Sequence, residues 1–557
     1  MSLREYIMKK HLLAIATGLA LCVNAQAGSS ERFSLSMELI GQYRTGIFDE
    51  GAAEIVAHDA ENQRIFVMNA SAAKVDVLDI NDPEMPTKID EIDVSALGGG
   101  VNSVAIHDGI VAVAVEADNK QDPGKVAFYN ANGNGFGYLN DVTVGALPDM
   151  VTFTPNGDYV LVANEGEPSD DYTIDPEGSV SIIDVRHGVA NATFKTADFN
   201  KYDGKEDELR AKGIRIFGPG ASASQDFEPE YITVSGNSRL AWVALQENNA
   251  IAVVDIRKSK VVGLKPLGTK NHSLPGNAFD ASNKDGMINI ANWPNQGFYM
   301  PDAISSYRFD DKTYIVTANE GDSRDYGGFS EEARVKDLVL DPTAFPNAAE
   351  LQLDENLGRL KTTTVNGDTD GDGDYDVIYS YGARSFSIWS AKGKRVYDSG
   401  SDFEVITAAL LPADFNSTND ENNSFDNRSD DKGPEPEGVA LGRIGKRTIA
   451  FVGLERIGGI MAYDITNPYK VRYLSYINNR NFTVDVQLLD ESTNPEVGDL
   501  GPEGLAFIAA GDSPTGEPLL VVGNEVSGTT SIFEIDVEES DEDEHKRHRK
   551  HHDDHDD

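Results

Sequence analysis

A short unit repeats along this chain: a strand opened by an acid, a polar turn, a second apolar strand, a loop, and a third strand ending in aspartate and an aliphatic residue. The clearest copies join 149–153 to 159–163 and 179–185, and 230–234 to 240–245 and 250–256. Another starts with 302–307 and 314–318, further copies begin at Glu437 and Glu503, and weaker ones at Glu54 and Asn102, giving seven units in all. Runs such as Tyr159-Val160-Leu161-Val162-Ala163 are β-branched and aromatic and lack a helical period. A chain of short sheets must protect its edges, and radial closure does so. The expectation is an all-β, seven-bladed β-propeller with loop insertions near 188–226, 265–298, 321–375 and 402–432, in which 33–43 supplies the outer strand of the last blade. Two stacked β-sandwiches are the alternative, disfavoured because no Pro/Gly/Ser-rich linker divides the chain.

The chain ends carry different signals. Lys9 and Lys10 precede an apolar run at 12–23 that is too short to span a bilayer and stops before Ala25-Gln26-Ala27. Residues 1–27 are therefore expected to be a signal peptide cleaved after Ala27, the propeller to occupy 28–537, and the product to be secreted or periplasmic. The single cysteine, Cys22, falls inside the leader. Any metal site in the mature chain must then be built from oxygens and histidines. Residues 538–557 are almost wholly charged and are expected to be a disordered tail. No later segment reads as a membrane span, and a monomer is expected. The 93 acidic against 48 basic residues, a net charge of −45, disfavour nucleic acid and favour hard cations.

The acids fall in register with the repeat. One set opens the first strand, usually after proline: Asp149, Glu230, Asp302, Glu437 and Glu503, with Glu54 in the unit without proline. A second set follows the second strand: Glu165, Glu247, Glu320, Glu455 and Glu525, with Glu116 in a weaker unit. Since neighbouring strands are antiparallel and the first lines the channel, both sets converge on one mouth. Facing carboxylates repel unless protonated, hydrogen-bonded or bound to cations. Asp302, Glu320, Glu437 and Glu503 are the candidate catalytic acids, while Asp149, Glu165, Glu230 and Glu525 are further candidate metal ligands. Turn capping by the same acids remains open. Arg324, Arg384 and Arg456 lie in loops beside these strands. Arg384 is the candidate for steadying an anion there, although pairing with the acids is an equal reading for each arginine.

The sharpest local motif is Asp368-Thr369-Asp370-Gly371-Asp372-Gly373-Asp374-Tyr375-Asp376. Oxygens at alternate positions with glycine at the sixth wrap a hard cation. Asp368, Asp370, Asp372, Asp374 and Asp376 are the expected ligands of a calcium ion with a stabilising role. Tyr379 stands where an EF-hand would place its glutamate, so a loop within a β-hairpin is expected instead.

The turns Asn164-Glu165-Gly166-Glu167-Pro168 and Asn319-Glu320-Gly321-Asp322, the strand Gly382-Ala383-Arg384-Ser385-Phe386-Ser387 and the turn Gly433-Pro434-Glu435-Pro436-Glu437-Gly438 resemble the choice-of-anchor I family over roughly 35–536. That family takes in alkaline phosphatase-like bacterial proteins and is similar to mesenchyme-specific cell surface glycoproteins linked to biomineralisation. The resemblance implies a propeller, export and calcium-dependent phosphoester hydrolysis. Beside calcium, a second divalent or iron ion in the channel would serve such chemistry, with a small phosphoester as substrate. The alternative is a non-catalytic calcium-binding surface or adhesion protein that takes a surface ligand. The four histidines outside the leader and tail, His58, His107, His187 and His272, have no zinc-ligand spacing, and no serine nucleophile motif is evident.

Overall fold

In the computed structural model, which describes residues 32–132 and 135–540, the repeat folds into seven four-stranded sheets. Six take their strands in chain order. The third, for example, runs Pro148–Phe153, Tyr159–Asn164, Ser179–Asp184 and Thr193–Asp198, with antiparallel neighbours throughout. The seventh is completed from the other end of the chain, since Arg32–Arg44 lies beside Thr529–Ser540, followed by Leu519–Asn524 and Pro502–Ile508. This closure, expected from the sequence, pairs an early strand with late ones in a single sheet. By contact the chain forms a main unit, Met37–Ile535, and a small second unit made from its ends. The acids in register with the repeat, from Glu54 to Glu525, all belong to the main unit. The leader with its cleavage site and residues 541–557 of the tail lie outside the described residues, whereas 538–540 belong to a strand.

Burial varies across each sheet as radial packing requires. The second strands are almost wholly buried, as in Leu240–Leu245, while outer strands such as Thr193–Asp198 are mostly exposed. The core lies between sheets. Leu161, Val180 and Ile182 of the third pack with Ile232, Val243 and Leu245 of the fourth, and Phe199, Leu209 and Phe227 from the intervening insertion join them. Insertions follow the third, fourth and sixth sheets and flank and interrupt the fifth, where 320–384 separates strands Lys312–Asn319 and Ser385–Ser390. The stretch 478–501 after the sixth sheet is a further insertion that the repeat spacing does not signal. Among the described residues no helix is long and apolar enough to cross a membrane.

One irregularity recurs at the inner strands. Proline at the strand start pairs with the residue closing the second strand (Pro148 with Asn164, Pro229 with Leu245, Pro436 with Leu454, Pro502 with Asn524), and the ladder resumes only three residues later. The acid directly after each proline therefore sits in a bulge, which frees its side chain from the alternation of the strand. Proline is tolerated there because that position need not donate to the ladder. In two sheets glycine follows the acid and admits the neighbouring backbone: a Cβ on Gly438 would lie 1.9 Å from the Glu503 carbonyl oxygen, and one on Gly504 would lie 2.3 Å from that of Glu54. Gly438→Ala should therefore destabilise the fold by about 1–3 kcal/mol, the usual range for overpacking. Gly236→Ala, where a Cβ meets nothing within 4 Å, should be near neutral in the same thermal melts. Equal melting temperatures for the two variants would refute this role of the glycine.

Candidate functional site

Because strand one starts where strand two ends, five of the sheets deliver two acids to the same edge, and in four of these the first acid sits in a bulge. Asp149, Glu165, Glu230, Asp302, Glu320, Glu437 and Glu503 line one cavity of about 280 Å³ together with Gln246, Asp322 and Tyr231. Asp302, Glu320 and Glu437 each present a carboxylate oxygen within 4.8 Å of the other two, as do Glu54, Glu503 and Glu525. Of the acids expected at the mouth, seven line this cavity, and Glu54 and Glu525 join it through the Glu503 triad, whereas Glu116, Glu247 and Glu455 do not line it.

Pairing within this group is uneven. Glu320 has a partner for each oxygen, accepting from Lys432 Nζ at 2.8 Å and Gln246 Nε2 at 3.0 Å. By contrast, the buried Oε2 atoms of Glu230, Glu437 and Glu503 have no hydrogen-bond partner, and neither do those of Glu247 and Glu455 nearby. Burial first, and neighbouring carboxylates second, push Glu230, Asp302, Glu437 and Glu503 well above the usual carboxylate range. The same causes carry Asp149 to about 7 and Glu54 to about 8. Burial also carries Glu525 to about 7, against the opposing charge of Arg456. Protons shared between adjacent carboxyls are one way to satisfy these oxygens. A hard cation would satisfy them, since oxygen-only donor sets at this spacing suit calcium, magnesium or manganese.

Four side chains behind the mouth form a buried ionic cluster that the sequence reading missed. Glu435, fully buried, accepts from Arg428 Nη2 at 2.5 Å and Arg456 Nε at 3.0 Å, with Lys432 Nζ at 3.2 Å. Burial alone would raise its proton affinity, yet these three cations hold Glu435 well below the usual carboxylate range. Lys432 comes from the end of the 399–435 insertion, and nothing in the local spacing signals its placement.

One of the arginines is a correction. Arg384 was expected beside the channel acids, but its guanidinium donates instead to Glu404 Oε1 at 2.6 Å and to the carbonyls of Asp280, Ser429 and Asp431 at 2.6–2.8 Å. Its charge is spent joining insertions. Arg324 is likewise buried against Asp226 at 2.6 Å and Glu228 at 2.9 Å. Arg456 is the one of the three that touches the channel acids, reaching Glu455 at 3.0 Å.

The aspartate loop closes on itself as its spacing predicts. Gly371 and Gly373 donate backbone N–H groups to Asp368, and Thr369 donates to Asp376. Asp368, Asp370 and Asp376 bring one oxygen each within 4.8 Å of one another. The expected β-hairpin is not formed. The strand after the loop, Ile378–Ser380, pairs in parallel with the distant Asn295–Phe298, and Tyr375 bridges in parallel to Leu340. That bridge brings in Asp341, which forms a second triad with Asp374 and Asp376. Nothing in the local spacing signals Asp341, because it arrives from an earlier turn.

A family model, the choice-of-anchor I domain, matches residues 54–468. The chain belongs to the choice-of-anchor I family. Gigasin-3a of Magallana gigas is 36% identical over 190 residues, covering 33% of this chain and 66% of that protein. A mesenchyme-specific cell surface glycoprotein of Strongylocentrotus purpuratus is 27% identical over 317 residues, covering 48% and 40% respectively. The chain thus spans less than two thirds of the length of these relatives. Among solved structures, the WD40 domain of Toxoplasma gondii coronin is 10% identical with a TM-score of 0.44, covering 90% of this chain and 86% of its own. Hydrazine synthase of Kuenenia stuttgartiensis is 13% identical with a TM-score of 0.43, covering 89% and 99%. The choice-of-anchor I match begins at Glu54 and takes in the Asp302–Glu320–Glu437 triad, while Glu503 and Glu525 lie beyond it in the closing sheet.

The raised carboxyls fix the sign of a pH effect. Each binds its proton more tightly folded than unfolded, so its contribution is complete below the ordinary carboxyl range and is lost as pH climbs through the folded values. These are about 7 for Asp149 and Glu525 and about 8 for Glu54. In excess chelator the melting temperature should fall steadily between about pH 5 and pH 8, and calcium or manganese should flatten that fall. A melting temperature that rises over this interval without metal would contradict these electrostatics.

Proposed function

We propose that the channel mouth is a hard-cation centre of an exported or surface propeller and that it hydrolyses phosphomonoesters. The observation that supports this reading is the set of unpartnered carboxylate oxygens on Glu230, Glu437 and Glu503, lining a cavity large enough for a small anion beside its metal. Asp302, Glu320 and Glu437 would hold one cation, and Glu54, Glu503 and Glu525 a second. None of the four histidines outside the leader and tail lines the cavity, which favours an oxygen-bound metal over zinc. Such a metal supplies a polarised phosphoryl oxygen and a water acidic enough to attack at neutral pH. Asp149 and Glu230, with proton affinities raised by burial, are suited to exchange protons with that water and the leaving group. Lys432, held by Glu435 and in contact with Glu320, orients the first triad and offsets its charge. Arg384 has no part in this reading.

A second reading, a non-catalytic calcium-dependent surface protein, draws on the match to a cell surface glycoprotein and on the 368–376 loop. The two readings part in one experiment. With purified protein and p-nitrophenyl phosphate, turnover should require one of calcium, magnesium, manganese or iron. Glu437→Gln and Glu503→Gln should each lower it at least about 100-fold, the scale expected for loss of a preorganised electrostatic group. No turnover with any of these cations would leave the binding reading. An active protein indifferent to both substitutions would displace the site. The loop is tested separately: Asp370→Ala with Asp372→Ala should lower the melting temperature in calcium and change it little in chelator, because only the native state binds the ion. Equal destabilisation in both conditions would remove calcium from the loop.

A further inference from the structure

Arg384 holds together a second group of buried oxygens, apart from the mouth and from the aspartate loop. By donating to the Asp280, Ser429 and Asp431 carbonyls and to Glu404, it locks the stretch that follows residue 279 against 415–431. Within that contact Asp426 and Asn416 share one hydroxyl: Ser429 Oγ donates to Asp426 Oδ1 at 2.5 Å and accepts from Asn416 Nδ2 at 2.9 Å. The backbone closes the same pocket of chain, with Asp426 N–H donating to the Phe415 carbonyl at 2.7 Å and Arg428 N–H to that of Asn416 at 2.8 Å.

The other oxygens here are unspent. Asp426 Oδ2, Asn416 Oδ1 and Ser417 Oγ have no hydrogen-bond partner, although these residues are only 2%, 0% and 1% exposed. Asp285 Oδ2 is buried and unpartnered too. Burial raises the Asp426 carboxyl above the usual range, its bond from Ser429 opposes the rise, and the negative charges of Asp280, Asp285 and Glu404 add to it. Its sequence neighbours are treated differently: Asp430 pairs with Arg334 at 3.3 Å and Arg359 at 2.8 Å, and Asp431 pairs with Lys361 and Arg428, each at 3.3 Å. Among the described residues no lysine or arginine pairs with Asp426. Native proteins rarely leave several such atoms buried together without a water or an ion.

We propose that Asp426, Asn416, Ser417 and Asp285 form a further binding site for a hard cation of the calcium or manganese type. A carboxylate pair, an amide carbonyl and a hydroxyl are all oxygen donors, the set that such ions take. The ion would stand between the insertion around residue 285 and the one at 399–435, as Arg384 does beside it. The rival account is a proton on Asp426, shared with Asn416. That would satisfy two of the four oxygens and leave Ser417 and Asp285 as they are.

Elemental analysis of the full chain, loaded separately with calcium and manganese and freed of unbound metal, tests the proposal. Asp426→Asn keeps the shape of a protonated acid and removes the charge, and it should lower the bound metal by one ion per chain. Asp285→Asn, at the less buried edge, should weaken the same site, so that the ion is lost on dilution. Combined with Asp370→Ala and Asp372→Ala, the deficits should add. If Asp426→Asn fails to fold by circular dichroism, the Asp285→Asn protein decides the matter. Unchanged metal content in a folded variant at either position means that water or a proton fills the site, and the proposal falls.

Discussion

Repulsion among buried carboxylates at the channel mouth is the constraint around which the rest of this structure is arranged. The repeat delivers two acids to one edge in five of the seven sheets, and closing the ring brings them together. Taking such charges out of water costs several kcal/mol each unless they are paired, neutralised or bound to a cation. The fold commits to this arrangement through its backbone: prolines start the inner strands, the bulges turn the acids inward, and Gly438 and Gly504 let adjacent sheets approach. Relief is partial. Lys432, Arg428 and Arg456 converge on Glu435 and extend to Glu320 and Glu455, which leaves unpartnered oxygens on Glu230, Glu437 and Glu503.

The insertions answer a second need. In a chain of net charge −45 the basic side chains are scarce, and several arginines are used inside the loops instead of on the surface. Arg215 pairs with the fully buried Glu331, Arg324 with Asp226 and Glu228, and Arg384 with Glu404. The same guanidinium groups lie over aromatic faces, Arg215 at 4.2 Å and Arg324 at 4.5 Å from the Phe217 ring centroid and Arg384 at 4.3 Å from that of Phe279. Planar, permanently charged groups suit such positions. They join loops far apart in the chain to one another, so the insertions are held by buried ion pairs as well as by apolar packing.

What was legible in the sequence depends on range. Strand patterning and the recurring acids are local signals, and the antiparallel neighbour rule converts them into a shared edge, so the sheets, the closure by the first strand and the gathering of Asp149, Glu230, Asp302, Glu437 and Glu503 could be read directly. The roles of Arg384 and Lys432 could not, because each depends on which distant carbonyl or carboxylate a long side chain meets. The loop at 368–376 was legible as a turn-forming run of aspartates. Asp341, brought to it by a parallel bridge, and the pairing of Ile378–Ser380 with Asn295–Phe298 were not. The bulges too were hidden, since proline marks the strand start without revealing that the ladder skips the acid after it.

The most direct measurement is a crystal structure of the protein soaked in manganese, with anomalous differences recorded at a wavelength where manganese scatters strongly. The account predicts a peak among Asp302, Glu320 and Glu437, with the now unpartnered Oε2 atom of Glu437 turned to it. A mouth with no anomalous peak, in which carboxyl groups share protons with one another and with ordered water, would contradict it.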